Sequence, residues 1–242
     1  MTSSLIYSDV TCRVDRRRKR AALDGFTFEC LPGEVTCLLG PNGAGKTTAL
    51  STAAGLLSAD DGTVQFAGQP VGPKAPPRLM GYLPQQSSFP AVLTAREVVD
   101  FSFSARRTSA LSRQEILSLT GVERVLDETV GTQSSGWVRR LGLAVALAPP
   151  SGLLLLDEPF VGLDLDILDS IIAHLKRLAA EGKTVVLSTH DFEIVDKLGA
   201  RVAVLEEGKL RGTGGAGTLG ARAFYRSILS APKPSNVGRS DA

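Results

Sequence analysis

The chain has 242 residues, 43% of them hydrophobic and 21% charged, and its formal net charge is +2. A chain of this length and composition buries a sizeable core and does not belong to the disordered class. A charge balance this close to neutral gives no reason to expect nucleic acid or an anionic lipid surface as a partner.

Nothing in the sequence is expected to cross a membrane or to direct the chain to one. The longest uncharged apolar run, Leu141–Leu156, is short for a membrane span and is broken by Pro149 and Pro150. The first eleven residues lack a basic segment leading into an apolar one, so we expect no signal peptide. Three widely spaced cysteines without a CxxC pair predict neither a zinc site nor a disulfide framework, and they fit a reducing compartment.

The first third of the chain is predicted to form strands. Phe26, Phe28 and Cys30 alternate with polar residues, which is the pattern of a half-buried strand. Val35–Leu39 is a short apolar run that ends at a glycine, as a fully buried strand does. Further strands are predicted at Thr63–Phe66 and Leu79–Leu83.

The middle of the chain is predicted to be helical, and the last third alternates between strands and helices. The helical pieces of the middle are Thr94–Ser104, Arg113–Thr120 and Trp137–Ala148. The later strands are predicted at Leu153–Leu156, Thr184–Ser188 and Val202–Leu205, and the later helices at Leu165–Ala180 and Phe192–Leu198. This alternation indicates a mostly parallel sheet with helices on its faces.

We therefore predict a single domain over residues 1–230, with a core at about 1–88 and 151–230 and a helical subdomain at about 89–150. Residues 231–242 are rich in Pro, Ser, Gly and Lys and are predicted to be a disordered tail. The glycine-rich stretch Gly212–Gly220 is predicted to be a loop. His174 is expected on an exposed stretch of a helix and is assigned no role.

A phosphate-binding loop is predicted between the buried strand Val35–Leu39 and a helix at about Lys46–Leu56. The segment fits the pattern GxxxxGK[ST] and consists of Gly40, Pro41, Asn42, Gly43, Ala44, Gly45, Lys46, Thr47 and Thr48. Its glycines let backbone N–H groups point at phosphate oxygens, and the helix adds the positive end of its dipole. Lys46 is expected to reach the β- and γ-phosphates, and Thr47 to coordinate Mg²⁺.

A pair of carboxylates follows the buried strand Leu153–Leu156. Asp157 and Glu158 are then expected at the carboxyl edge of the sheet, where ligands bind in open α/β sheets. Asp157 is placed to hold Mg²⁺ through its water shell, and Glu158 to orient or deprotonate an attacking water. Apolar runs that end in acids are common, so this assignment depends on the phosphate-binding loop earlier in the chain.

In this order the motifs resemble those of the ABC ATPases, over about residues 5–228. The phosphate-binding loop and LLLLDEP match that family's Walker A and Walker B motifs. Gly81–Gln85 is similar to its Q-loop, Gly162–Asp164 to its D-loop and Ser188–Asp191 to its His switch. The resemblance implies a P-loop NTPase core, α/β with a mostly parallel sheet, an N-terminal antiparallel β subdomain and an inserted α-helical subdomain.

The resemblance also implies an ATPase that uses Mg²⁺ and works in a transporter. Gln85 would contact Mg²⁺ or the attacking water, His190 would contact the γ-phosphate, and Asp164 would contact a second nucleotide-binding domain. A separate integral membrane permease would be the other partner, reached through residues near 86–110, so the chain would lie in the cytoplasm on the inner face of the membrane. No nucleic acid is expected, and the basic run 16–20 is treated as a solvated loop.

The chain departs from the family at its signature, LSGGQ, where it has Gln133–Trp137. Ser134 and Gly136 keep the two groups that would meet the γ-phosphate of nucleotide on the other subunit. Ser135 adds a Cβ where the family has glycine, which is expected to strain the loop. We expect a signature that works less well than the family's, and the alternative is one that contributes nothing.

Two further alternatives stay open. The residues expected beside the adenine base, 13–20, contain no aromatic side chain, so an arginine plane could stack on the base and GTP is not excluded. The chain could also be a soluble ABC ATPase outside transport, or a regulatory subunit that binds ATP and hydrolyses it weakly beside a partner with a consensus signature.

Overall fold

The computed structural model describes residues 4–13, 21–76, 80–104, 112–149, 152–215 and 220–231. Its N-terminal part forms a four-stranded antiparallel sheet of order β2-β1-β4-β5. These strands are β1 (Leu5–Cys12), β2 (Leu23–Cys30), β4 (Asp61–Phe66) and β5 (Gln69–Pro70). Phe26, Phe28 and Cys30 are buried and their neighbours Thr27 and Glu29 are not, which confirms the predicted alternation.

A second sheet of six strands forms the centre of the molecule, with the order β10-β9-β3-β8-β7-β6. Its strands are β3 (Val35–Leu39), β6 (Met80–Leu83), β7 (Leu153–Asp157), β8 (Thr184–Ser188), β9 (Arg201–Glu206) and β10 (Lys209–Gly215). The pairs from β9 to β6 are all parallel, and β10 is antiparallel to β9. Every residue of β3, β7 and β8 is buried, as expected for parallel strands covered on both faces.

Helices cover the six-stranded sheet. α1 (Lys46–Ala53) packs between the two sheets, and α5 (Leu165–Ala180) packs with α6 (Phe192–Leu198) against the other face. The apolar stripe of α5 includes Ile171 and Leu175, both fully buried. α7 (Ala221–Ser230) closes the described part of the chain and packs on β9 and β10.

A helical block is inserted between β6 and β7. It contains α2 (Ala95–Ser104), α3 (Arg113–Thr120) and α4 (Ser135–Leu147), together with 3-10 turns at Val122–Val125 and Val130–Thr132. α4 contacts α2, α3 and β6, so it joins the block to the sheet. The predicted combination of parallel core, antiparallel β part and inserted helices is confirmed. None of the helices in the described ranges has the length and apolar character needed to span a membrane.

Two sequence predictions near glycines are wrong. The helix expected to reach Leu56 ends at Ala53, because Gly55 has a φ of +73° and terminates the last turn. Gly212 and Gly214 belong to strand β10 rather than to a loop. A Cβ on either one would lie within 3 Å of an α7 side chain, so these glycines let α7 lie directly on the strand. The rest of the predicted loop, 216–219, lies outside the described residues.

His174 is also placed differently from the prediction, since it is buried with only 6% of its surface exposed. It faces α3 from α5, and its Nδ1 lies 3.0 Å from the guanidinium of Arg177. The cysteines Cys12, Cys30 and Cys37 are buried and unpaired, and burial raises the pKa of each thiol. The basic run 16–20 and nearly all of the tail, residues 232–242, lie outside the described ranges.

Candidate functional site

The turn between β3 and α1 places the predicted phosphate-binding loop at the carboxyl edge of the central sheet. Lys46 is half-buried, and its Nζ donates to the carbonyl oxygens of Gly40 at 2.7 Å and Pro41 at 3.1 Å. Burial lowers the pKa of Lys46, while the nearby carboxylates of Glu158 and Asp157 act in the opposite direction. The cation therefore lies over its own loop, within the field of both acids.

Gly45 makes the close approach of this loop possible. It caps α1 with a φ of +108°, a conformation that residues with a Cβ rarely adopt. A Cβ at this position would lie 2.4 Å from the carbonyl oxygen of Ala22 and 3.0 Å from the side chain of Leu23. The loop is thus packed against the start of β2, and only glycine fits at position 45.

Asp157, at the end of β7, connects three elements. Its Oδ2 accepts a hydrogen bond of 2.6 Å from the Thr47 hydroxyl of α1. Its Oδ1 accepts a second, short hydrogen bond from the Ser188 hydroxyl at the end of β8. Since Asp157 is 1% exposed, these partners satisfy a buried carboxylate that would otherwise be costly.

Glu158 is held in an unusual backbone conformation, with a φ of +50°. Its N–H donates to the carbonyl oxygen of Ser188 at 3.2 Å and to the Ser188 hydroxyl at 2.9 Å. This turn directs its carboxylate out of the sheet edge, where Oε2 lies 3.1 Å from Nδ1 of His190. A non-glycine residue in this region of φ is strained and marks a position where the surroundings impose the geometry.

These side chains suit a magnesium ion. Mg²⁺ prefers hard oxygen ligands, and it usually takes only a few from the protein beside phosphate oxygens and water. The Thr47 hydroxyl and the Asp157 carboxylate already lie in hydrogen-bond contact, next to the loop that would hold the phosphates. The residues present therefore fit the predicted metal.

A cleft of about 780 Å³ brings several of the predicted residues together. Gln85, Glu158 and His190 line it, and Asn42 of the phosphate-binding loop and Gly136 of the signature segment lie at the same cleft. Asp164 and the exposed Ser134 do not line the cleft themselves, although their neighbours Gly162 and Ser135 do. The cleft thus separates the sheet edge from the N-terminal end of α4.

The signature segment forms the start of α4. Ser134 caps the helix, and its hydroxyl accepts the N–H of Trp137 at 3.4 Å. Ser135 is the first helical residue and does not have a positive φ. The expected strain at Ser135 is therefore wrong for this conformation, because a helical residue tolerates a Cβ that a left-handed glycine position would not.

Arg140 connects the signature segment to the predicted D-loop within the same chain. Its guanidinium lies 4.6 Å from the centre of the Trp137 ring and forms a 2.9 Å ion pair with Asp164. Asp164 in turn caps α5 by accepting the N–H of Ile167. The Arg140 hydrogen bond, followed by that N–H, lowers the pKa of Asp164, so this carboxylate remains charged.

Sequence reasoning missed two residues that hold the site together. Ser188 binds both Asp157 and the backbone of Glu158, although the sequence showed it only as part of a motif. Arg139 is 8% exposed and donates hydrogen bonds to main-chain carbonyl groups around the cleft. Its place just before the apolar run of α4 was a sequence signal for it, since an arginine on a buried helix must be paired.

The fold and the site define a P-loop nucleotide-binding cassette of the α/β class. Residues 23–161 match the family model described as ABC transporter. Curated relatives are 37% identical to this chain over 80% or more of its length. The chain therefore belongs to the ABC transporter family.

Among the relatives, a "Nod factor export ATP-binding protein I" of Burkholderia thailandensis is 37% identical over 83% of this chain and 68% of its own length. A "Sulfate/thiosulfate import ATP-binding protein CysA" of Nocardia farcinica is 37% identical over 80% of this chain and 60% of its own length. A dimeric solved structure, the ATP-binding cassette MJ0796 bound to ADP and Pi, is 26% identical with a TM-score of 0.77, over 87% of this chain and 98% of the other. This chain thus spans about two thirds of these curated relatives and nearly all of that cassette.

Proposed function

We propose that this chain is the ATP-binding and ATP-hydrolysing subunit of an ABC transporter, whose membrane-spanning permease is a separate protein. The observation that carries the proposal is the meeting of three groups at one sheet edge: the phosphate-binding loop, the Thr47–Asp157 pair, and Glu158 with His190. Phosphoryl transfer to water needs phosphate binding, a metal position and an oriented base, and this arrangement offers all three.

In this proposal Lys46 and the loop N–H groups bind the phosphates, while Thr47, Asp157 and Gln85 hold Mg²⁺. The metal, when bound, neutralises charge on the phosphate oxygens. Glu158 accepts the proton of the attacking water, because its carboxylate lines the cleft and lies in contact with His190. His190 is 77% exposed and is free to reach a γ-phosphate above Glu158.

The catalytic unit is proposed to be a head-to-tail pair of such domains. Ser134, Gly136 and Asp164 would contact nucleotide or protein across the pair, and the relative MJ0796 is dimeric in its solved form with ADP and Pi. Exposed apolar side chains at Val161 and Leu165 flank the same surface, as an interface between subunits would require. ATP would favour the closed pair, and hydrolysis would release it.

Replacing the proposed base tests this mechanism. In Glu158→Gln we expect turnover to fall by about 10²–10⁴-fold, the contribution of a general base, while ATP stays bound and the closed dimer accumulates. The matched control is Glu29→Gln, an exposed glutamate of β2 far from the cleft, with unchanged turnover. Hydrolysis that persists in Glu158→Gln would show that Glu158 is not the base.

The departures at Ser135 and Trp137 favour a second candidate, a regulatory subunit that binds ATP and hydrolyses it weakly beside a different partner. Turnover of the purified protein alone distinguishes the two.

The permease is tested by tagging the chain in its host and identifying what copurifies from detergent-solubilised membranes. A polytopic membrane protein in equal amounts supports transport, whereas a ribosome, a repair complex or another soluble assembly refutes it and leaves the ATP site standing.

A further inference from the structure

A single buried guanidinium joins the two segments that carry Gln85 and Glu158. Arg139 of α4 donates through one terminal nitrogen to the carbonyl oxygens of Pro84 at 2.5 Å and Gln85 at 2.9 Å. Through its other terminal nitrogen it donates to the carbonyl oxygens of Asp157, by a short bond, and of Glu158 at 2.7 Å. One side chain thus binds four peptide groups on two strand ends.

The two segments are the ends of neighbouring parallel strands. Pro84 and Gln85 follow β6, and Asp157 and Glu158 end β7 or follow it. The last paired residues of these strands are Leu83 and Leu156. Beyond them no sheet hydrogen bonds join the two segments, and Arg139 bridges them instead. The planar fork of arginine suits this task, because it presents parallel donors that an ammonium group or an amide does not.

Arg139 binds the backbone and leaves the acidic side chains to other partners. The Asp157 carboxylate is engaged by Thr47 and Ser188, and the Glu158 carboxylate by His190. The Nε–H of Arg139 has no partner among the described residues. The positive charge is attracted by both carboxylates, which offsets part of its burial without consuming the oxygens that the reaction needs.

Glu158 gains most from this contact. Its backbone has a φ of +50°, a conformation that persists only where the surroundings impose it. Ser188 binds its N–H, and Arg139 binds its carbonyl oxygen, so the residue is held from both sides. Removing the guanidinium would free one side, and the carboxylate would lose its fixed direction toward the cleft.

We propose that Arg139 is a positioning residue for ATP hydrolysis, which fixes the backbones of Gln85 and Glu158 relative to each other. It acts through these two residues and does not itself touch the reacting atoms. Because Ser134 caps the same helix about 7.5 Å from Arg139 along the helix axis, a contact made at the signature segment would be carried by α4 and Arg139 to this chain's own base. The proposal rests on the proposed function.

The test compares Arg139→Gln and Arg139→Lys with Arg96→Gln, which removes an exposed ion pair to Asp127 elsewhere in the helical block. We measure turnover, the KM for ATP, ATP affinity without Mg²⁺ and the melting temperature. Arg139→Gln is expected to lower kcat by roughly 10- to 100-fold, the cost of a small misplacement of reacting groups. The KM and the ATP affinity stay near wild type because Lys46 and its loop are untouched. The kcat of Arg139→Lys should lie between those of the wild type and Arg139→Gln, since lysine keeps the charge but lacks the planar pair of donors.

Amide hydrogen exchange at Glu158 gives a readout that does not depend on turnover. Its N–H is hydrogen-bonded in the wild type and should exchange faster in Arg139→Gln than in Arg96→Gln. If Arg139→Gln has the kcat of the wild type and the same exchange rate at the Glu158 N–H, Arg139 does not position Glu158. A parallel loss of kcat, ATP affinity and melting temperature, with exchange at Glu158 no faster than elsewhere, would overturn it as well. A wild-type protein without turnover would instead refute the proposed function, and the exchange rates would still report whether Arg139 holds Glu158.

Discussion

The sheet edge and the signature segment, both candidate parts of one site, are built in different ways. At the edge, Asp157 and Glu158 contact side chains from α1, from the end of β8 and from the segment after it. In the signature segment Ser134 and Ser135 are exposed, and the Ser134 hydroxyl caps its own helix. The edge is therefore organised by the folding of one chain, whereas the signature segment presents groups outward, as a surface that meets another molecule does. Its function should depend less on local packing.

Substitutions at two glycines of the loop should show how tightly the edge is packed. In Gly45→Ala, the left-handed φ and a Cβ placed 2.4 Å from the Ala22 carbonyl oxygen both oppose folding. We expect the free energy of unfolding to fall by about 3 kcal/mol or more, from backbone strain and overpacking together. Denaturant unfolding without nucleotide measures it.

Gly43→Ala is the matched control for this experiment. Gly43 also has a positive φ, +78°, but a Cβ there would meet nothing within 4 Å. Only the backbone strain of about 1–2 kcal/mol should remain. Equal losses in the two variants would contradict the close packing described for Gly45.

Acidic pH should lower the free energy of unfolding through His174, which lies where the helical block meets the core. Burial, together with Arg177 and Lys183, lowers the pKa of His174 to about 4. The unfolded state then binds more protons than the folded state below the usual pKa of about 6.5, so stability is full above that pH and falls from there down to about pH 4. We expect a loss of about 2 kcal/mol at pH 5 relative to pH 7.5.

The comparison protein for this pH dependence is His174→Gln, which keeps an acceptor for Arg177 and cannot be protonated. Its unfolding free energy should change less between pH 7.5 and pH 5 than that of the wild type. The same slope in both proteins would mean that other groups cause the acid sensitivity.

The smallest effect is expected in the signature segment. Ser135→Gly with Trp137→Gln should lower the free energy of unfolding by about 1 kcal/mol, through a glycine in a helix and the lost Trp137–Arg140 stacking. Because Ser135 has no positive φ, no strain is relieved and turnover should not increase. Ser135→Ala serves as the control, since it keeps the Cβ. An increase of turnover beyond about twofold, or roughly 0.4 kcal/mol in the barrier, would restore the strain hypothesis.

Much of the fold was predictable because local patterns and packing agree. Val35–Leu39 and Thr184–Ser188 are short, mostly apolar runs whose burial is favourable, and both are strands with the predicted bounds. The helix Leu165–Ala180 follows from a continuous apolar stripe. The strand at Gly212 and Gly214 was predicted as a loop because these glycines are needed for packing against α7, which follows later in the chain. His174 was predicted to be exposed because a single polar residue on a helix does not reveal which neighbour covers it.

The sequence by itself determined the family and the parallel sheet, through the order of its motifs and elements along the chain, and it predicted the phosphate-binding loop and the acids after Leu156 from short local patterns. Only the tertiary structure decided that Ser188 binds Asp157 and the Glu158 backbone, and that Arg139 joins Gln85 to Glu158. These contacts connect residues from 19 to 54 positions apart. They exist because parallel strands bring distant strand ends to one edge, where backbone groups without sheet partners must find other donors.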